Sequence, residues 1–348
     1  MGVTQRDIAK MVGITRQAVS LVLNNKPGVS DEVRAKVWRV VGELGYVPDR
    51  AARTLAMGKS GMIGLIVVDI RNSVTTEAIE TVELVAKGLG YDLLLEIMHD
   101  EFPDHYELLE RLLRKGLDGI LFQAGLPNID RALDRLGKAG VQGVFMEEVE
   151  EGKWEEVDLV TCDKEKGFYL LGRHLLRLGH RKLGFMLSTY YPEYRPTGYG
   201  RALEEFGLRF EDMPVIYYEK DLGSRGSFHY RNGYQGAKLL LERHPDITVL
   251  MASNDLVAIG AMRGIYECGR SIPEDIAVVG CDNTREGAFA RVPLTTVDRC
   301  TAEVAQKAVE ILDCKIRGEW NGPEQVIFEP KLVIRESCGT RSASSNAA

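Results

Sequence analysis

The chain lacks most of the marks by which enzymes, exported proteins and membrane proteins announce themselves. Its six cysteines, at 162, 268, 281, 300, 314 and 338, form no Cys-x-x-Cys pair and have no histidine at zinc spacing. Neither a metal site nor a disulfide framework is expected; buried free thiols in a reducing compartment are. The six histidines, at 99, 105, 174, 180, 229 and 244, have no partner at nucleophile or metal spacing, and no Gly-x-Ser-x-Gly elbow occurs. Gly58-Lys59-Ser60 ends like a phosphate-binding loop, but Arg53 stands where that loop needs its first glycine. Gly88-Leu89-Gly90 has Leu93 in place of the third glycine of a dinucleotide fingerprint, and it closes a helical pattern where the fingerprint opens one. With these absent, no catalytic residue, metal or cofactor is expected, and a hydrolase or dehydrogenase is disfavoured. No apolar run approaches the roughly 20 residues of a membrane span, and no basic stretch followed by an apolar one opens the chain. A soluble, cytoplasmic protein without a membrane partner is expected.

What is present begins with charge. The 348 residues carry a net −7, but residues 1–60 hold ten Lys/Arg against five Asp/Glu, so a head of +5 precedes 288 residues carrying −12. A basic end on an acidic body fits a protein that touches nucleic acid with one end only. At this length a single compact domain is not expected either; a head and a two-lobed body are.

The head reads as three helices. Thr4 with Asp7 signals a helix start, because hydroxyl and carboxylate can accept from the unpaired donors of a first turn. Gly13 supplies a sharp turn, Thr15 caps a second helix, and Val19, Val22 and Leu23 form its buried stripe. Ala9, Gly13 and Val19 together give the spacing of a helix-turn-helix. After Lys26-Pro27-Gly28, Ser30 caps a third helix with an apolar stripe at Val33, Val37, Val40, Val41 and Leu44, closed by Gly45. The second helix should enter the major groove by its first turn. Arg16 and Gln17 then meet base edges, where Arg pairs with guanine and Gln with adenine. Thr4, Thr15, Ser20 and Asn24 lie where phosphates are held.

With DIAKMVGITRQAVSLVLNNKPGVS and ELGYVPDRAARTLAMGKSGMIGLIV in view, the chain resembles the LacI/GalR family of transcriptional regulators along its whole length. The resemblance implies a hinge helix over 48–57, with Arg50 and Leu55 as DNA contacts. Two copies of Leu55, one per protomer, would wedge into the minor groove at the operator centre. It further implies a homodimer on a pseudo-palindromic operator, most simply as a repressor. Leu21 departs from the pattern, since relatives commonly carry arginine there, so the operator is expected to differ at that position. The family's tetramers add a leucine heptad at the end, whereas this chain reads CGTRSASSNAA, which favours a dimer.

From Met62 on, short apolar runs alternate with helical patterns: IGLIVV, YDLLLEI, GILFQ, GVFM, LVTCD, KLGFMLS, VIYYE, TVLMAS and IAVVGCD. Runs apolar throughout read as parallel strands buried on both faces, with the helices as crossovers. The expected fold is an all-α head and an α/β body of two doubly wound lobes, like periplasmic sugar-binding proteins. Expected boundaries are 1–47 for the head, 48–61 for the hinge, 62–161 with 291–323 for the first lobe, 162–290 with 324–340 for the second, and a disordered 341–348 tail. Ligands of such sheets sit beyond the carboxyl ends of the strands, here between the lobes. The candidates at those ends are Asp69, Asn72, Glu147, Arg195, Asn254, Asp282 and Arg299, with Asp255 favoured as a helix cap. Carboxylates accepting from hydroxyls, beside a donating arginine, suit a carbohydrate. Arg195, Arg299 and Arg225 near one cleft would also suit a sugar phosphate, so the effector's charge stays open, as does a body that answers a partner protein or co-repressor. Asn72-Ser73-Val74-Thr75 lacks the aromatic that many relatives place there, and Tyr190, Tyr191, Tyr194 and Phe228 are the alternative stacking surfaces.

Overall fold

A computed structural model describes residues 3–23, 27–46, 59–98, 105–123, 125, 129–147, 153–189, 194–224 and 229–339. The chain divides into two units, Met1–Ser60 and Gly61–Ala348.

The head unit holds α1 (Gln5–Val12), α2 (Arg16–Leu23) and α3 (Asp31–Leu44). Each helix starts where a short polar side chain can take an orphan backbone donor. Thr4 and Asp7 form a reciprocal capping box, Ala18 N donates to Thr15 Oγ1 at 3.1 Å, and Val33 N donates to Ser30 Oγ at 3.4 Å. Gly13 closes α1 with φ 76° and Gly45 closes α3 with φ 60°, left-handed positions where any Cβ is strained. Ile8, Ala9, Val19, Val22, Val37 and Val41 form one buried cluster. At roughly 1.5–3 kcal/mol for each large side chain removed from water, this cluster is what holds three short helices together.

All nine apolar runs of the body are strands: β1 (Met62–Val67), β2 (Asp92–Ile97), β3 (Gly119–Phe122), β4 (Gln142–Phe145), β5 (Leu159–Cys162), β6 (Leu183–Leu187), β7 (Val215–Tyr217), β8 (Val249–Ala252) and β9 (Ala277–Val279). Three further short strands follow, β10 (Thr296–Asp298), β11 (Gln325–Phe328) and β12 (Lys331–Val333). The first sheet runs β11-β5-β4-β3-β1-β2 and the second β7-β6-β8-β9, both parallel, while β10 and β12 pair antiparallel. Burial on both faces explains the unbroken apolar runs. Leu65 and Leu121 face one cluster and Ile66, Ile120 and Phe122 the other, and in the second sheet Phe185 and Met186 divide in the same way.

Helices cover both faces. The helix Thr301–Arg317 returns to the first lobe, as expected, and lies so close that a Cβ built on Gly119 would sit 2.7 Å from Leu312 Cδ1. In the second lobe the helices Tyr230–Arg243 and Asp255–Glu267 meet backbone to backbone: a Cβ on Gly260 would lie 1.9 Å from the Tyr230 carbonyl oxygen. Two expected boundaries are corrected. Residues 325–328 join the first sheet beside β5, because Gln325 to Phe328 pair with Leu159 to Cys162. Residues 291–298 side with the second lobe, whose clusters bury Leu294 and Val297 and whose β9 is bridged to Thr295. Among the described residues no helix is long and apolar enough to cross a membrane. The thiols are also less uniformly hidden than expected: Cys268 is exposed and Cys314 half-buried, while the other four are buried.

Candidate functional site

Two surfaces carry the candidate residues, and each belongs to one unit. In the head, the turn from Gly13 to Thr15 and the burial of Val19 and Val22 fix which face of α2 points outward. Thr15, Arg16 and Gln17 are exposed at its amino-terminal turn, Thr4 is exposed at the start of α1, and Ser20 is half-buried. The structure thus brings together a capped helix start, a guanidinium and a carboxamide on one exposed surface, the chemistry that reads base edges. Asn24, Arg50 and Leu55 lie outside the described residues.

In the body, residues that follow strands of both lobes meet, as Arg71 with His229, Ser73 with Glu286 and Arg299 with Asp282 show, and the chain crosses between lobes three times, after Cys162, after Asp298 and after Phe328. Glu147, two residues beyond β4, accepts from Arg299 NH2 at 2.9 Å and from Lys164 Nζ. Arg299 NH1 also donates to Asp282 Oδ1 at 3.3 Å, so in the chain Lys164–Glu147–Arg299–Asp282 the first-lobe Glu147 and Arg299, at the second crossover, link Lys164, at the start of the second lobe's first helix, to Asp282 of that lobe. Burial opposes the Glu147 charge, but Lys164 and then Arg299 outweigh it and hold the carboxyl at about 2.

The other candidates have partners of their own. Asp69 is gripped by Arg71, whose Nε and NH2 donate at 2.9 and 2.8 Å; burial raises its pKa, and the Arg71 hydrogen bonds reverse that to a net lowering. Arg71 NH2 also reaches His229 Nε2 of the second lobe at 3.5 Å, and Ser73 Oγ donates across to Glu286 Oε1 at 2.7 Å. Asn72 caps the helix Ser73–Gly88 by accepting from Val74 N at 3.0 Å. Asn254, not Asp255, is the cap of the helix Asp255–Glu267, accepting from Val257 N at 2.9 Å. Asp255, expected as the cap, is instead fully buried and turned into the loop before β10. Arg195 is the second residue of the helix Tyr194–Glu204, and Tyr190, Tyr191, Arg225 and Phe228 lie outside the described residues.

Buried polar atoms of this region without a hydrogen-bond partner among the described residues include Gln123 Oε1 and Asn254 Nδ2. They stand just past the carboxyl ends of β3 and β8. Gln123 lines, with Glu147, Cys162 and Arg299, a small cavity there. A buried polar atom left unpaired costs about 1–3 kcal/mol, a cost that a hydroxyl-bearing ligand would relieve.

Sequence reasoning missed Lys164, Arg71, Gln123 and the Glu219 carboxylate, which accepts from Ser188 Oγ at 2.6 Å and Thr189 N at 2.8 Å beyond β6. A signal existed for Lys164 and Gln123, since both follow an apolar run at a strand's carboxyl end, where a polar residue is functional more often than elsewhere. Among the described residues no group of His, Cys, Asp or Glu is arranged to hold a metal ion.

Comparison with known proteins agrees with both units. The profile of bacterial regulatory proteins of the lacI family matches residues 4–49, and that of the periplasmic binding protein-like domain matches residues 173–338. The HTH-type transcriptional repressor PurR of Proteus mirabilis is 30% identical over 336 residues, covering 96% of each chain. Among solved structures, the transcriptional regulator CelR–cellobiose complex superposes with a TM-score of 0.70 at 27% identity, covering 96% of this chain and 99% of that one. The lac repressor dimer bound to operator and the anti-inducer ONPF gives 0.80 at 23% identity, covering 97% and 99%, and shares the fold. With a three-helix reading head, a two-lobed parallel-sheet body and a relative matched from end to end, the chain belongs to the LacI family of bacterial DNA-binding transcriptional regulators.

Proposed function

We propose that the protein is a cytoplasmic repressor that binds a pseudo-palindromic operator as a homodimer and is controlled by a small carbohydrate or sugar derivative in the interlobe cleft. One observation carries the reading. Arg16 and Gln17 stand exposed on a capped helix start, in the same chain as strand ends where Gln123 Oε1 and Asn254 Nδ2 are buried without a hydrogen-bond partner among the described residues. Arg16 and Gln17 read bases, and Thr4, Thr15, Ser20 and Asn24 hold phosphates. Arg50 and Leu55 act in the hinge over 48–57. In the cleft, Asp69, Asn72, Glu147, Arg195, Asn254, Asp282 and Arg299 form the effector site, the carboxylates accepting from hydroxyls and the arginines donating to ring and hydroxyl oxygens. The operator of the lac repressor dimer and the cellobiose of the CelR complex support this assignment by analogy.

The homodimer has a face on the second lobe. Phe289 is 90% exposed beside a groove formed by Ile259, Met262, Tyr266 and Ala290, and Arg291 lies over the Tyr266 ring at 4.7 Å. A two-fold pairing places each Phe289 in the other copy's groove, covering apolar surface that a monomer leaves wet. Effector binding then changes how the first lobes sit in the dimer and so whether the two hinges reach DNA together, a coupling worth about 1–3 kcal/mol. The test is a thermal-shift screen of a sugar and sugar-phosphate panel on the full-length protein, followed by titration of a DNA duplex selected from a random pool, with and without each hit. A compound that raises the melting temperature and shifts DNA affinity supports the reading; hits that leave DNA affinity unmoved refute effector control.

A further inference from the structure

Asp255 is fully buried, yet nothing in effector recognition or DNA reading calls for a second carboxylate behind Asp282. Its side chain is the centre of the loop from Gly280 to Thr284. Thr284 N donates to Asp255 Oδ2 at 2.8 Å and Thr284 Oγ1 to the same oxygen at 3.2 Å, while Thr296 Oγ1 of β10 donates to Oδ1 at 2.6 Å. The backbone closes the same ring, since Asp255 N donates to Cys281 O at 2.9 Å and Asp282 N to Val297 O at 2.8 Å. A Cβ built on Gly280 would lie 2.3 Å from Asp255 Oδ1, so that glycine is the space the carboxyl occupies. Between these anchors Asp282 and Asn283 take φ of 128° and 56°, conformations that L side chains rarely hold unless their surroundings impose them. The strained turn delivers Asp282 to Arg299 at the cleft.

We propose that Asp255 is a positioning residue: it holds the Gly280–Thr284 loop so that Asp282 meets the cleft, and how firmly it holds that loop varies with pH. This rests on the cleft being the effector site, although its test needs no effector. The charged groups around Asp255 are few. β8 and β9 bring none, Arg231 on the helix Tyr230–Arg243 is exposed, and Arg285 and Glu286 of the short helix beyond Thr284 are exposed. Asp298 accepts from Asn283 Nδ2, Arg299 binds Asp282, and Arg335 donates to Asn283 Oδ1 and Leu294 O, which leaves Asp282 as the charge that acts on Asp255. Burial first, and the Asp282 charge second, push the Asp255 carboxyl up to about 7, against the hydrogen bonds from Thr296 and Thr284 that favour its anion. Below that pH the neutral acid sits quietly in the loop; above it, two carboxylates crowd one buried turn. Opening, which hydrates Asp255 and returns its acidity to the ordinary range, therefore becomes easier as pH rises and levels off near 7.

The experiment is hydrogen exchange read by mass spectrometry on the full-length protein, following a peptide that spans 277–290 with chemical exchange rates corrected for pH. The wild type should open about tenfold more readily at about pH 8 than at about pH 6, and Asp255→Asn should change less than about twofold over the same interval. Equal protection of the wild type at both pH values, or an undiminished pH response in Asp255→Asn, overturns the proposal. Should Asp255→Asn not fold, Thr296→Val removes one donor to the anion and should move the levelling point to higher pH; an unmoved levelling point also overturns it. Loss of DNA or effector binding bears on the proposed function and leaves this readout intact, so the two failures are distinguishable.

Discussion

Replacing Glu147 by Gln tests the ion chain that joins the lobes. The change keeps shape but leaves Lys164, with 4% of its side chain exposed, and Arg299, with 21%, facing each other without the anion between them. A carboxyl held at about 2 instead of its ordinary 4.5 corresponds to roughly 3 kcal/mol of preference for the ion-paired anion. Glu147 keeps 27% of its side-chain surface in water, so screening lowers that to roughly 2 kcal/mol. The stranded cations add a penalty of their own, and a total loss of about 2–4 kcal/mol at pH 7 is expected from urea unfolding of the full-length protein. The pH dependence carries the sharper information. Because folding lowers this pKa, its stabilisation is complete above about 4.5 and disappears as pH falls through about 2. The gap between wild type and Glu147→Gln should therefore shrink by more than half between about pH 7 and about pH 3. A gap below about 0.5 kcal/mol at pH 7, or one of the same size at pH 3, would refute the reasoning.

Other substitutions separate the two surfaces. Arg16→Ala should cost about 1–3 kcal/mol on the selected duplex and relax preference at one base pair, measured by fluorescence anisotropy against random DNA; equal weakening on both would assign Arg16 to phosphate contact. Asn254→Ala removes the cap that takes the Val257 amide at 2.9 Å and should lower stability by about 1 kcal/mol, while also weakening the response to any effector found; normal effector response with lowered stability would leave Asn254 as a cap alone. Phe289→Asp puts a charge on an aromatic position that is 90% exposed in one copy and that the proposed pairing would cover, and should weaken dimerisation at least about thirtyfold by sedimentation, an interface hot spot being worth about 2 kcal/mol or more. A dimer constant unchanged by Phe289→Asp would move the interface elsewhere.

What was legible in the sequence was whatever depends on local chemistry. The starts at Thr4, Thr15 and Ser30 and the closures at Gly13 and Gly45 are decided within one turn of chain, and all five stand as read. The nine body strands were legible because a strand buried on both faces must be apolar throughout. The run from Gln325 to Val333 was not, since whether it joins β5 or β10 depends on partners over 150 residues or a crossover away; it does both, Gln325–Phe328 with one and Lys331–Val333 with the other. Strand ends pointed to the cleft but not to who pairs with whom. Glu147 is separated from Arg299 by 152 positions and Lys164 is a helix-start lysine like many others, so their meeting is a product of the crossovers. Asn254 and Asp255 show the same limit at closer range. Either can cap a helix, and only the loop that arrives 29 residues later, with the Thr284 amide, draws Asp255 away from that task.

A sequence-specific regulator must distinguish one duplex from another. Competition of a selected, pseudo-palindromic duplex against a scrambled one of equal length, at about 0.15 M salt and with the full-length protein, measures this without knowledge of the effector. A preference of about a thousandfold or more, with one dimer per duplex, is the expected result. Equal affinity for both duplexes across salt concentrations would mean that Arg16 and Gln17 read nothing, and the central claim would be contradicted.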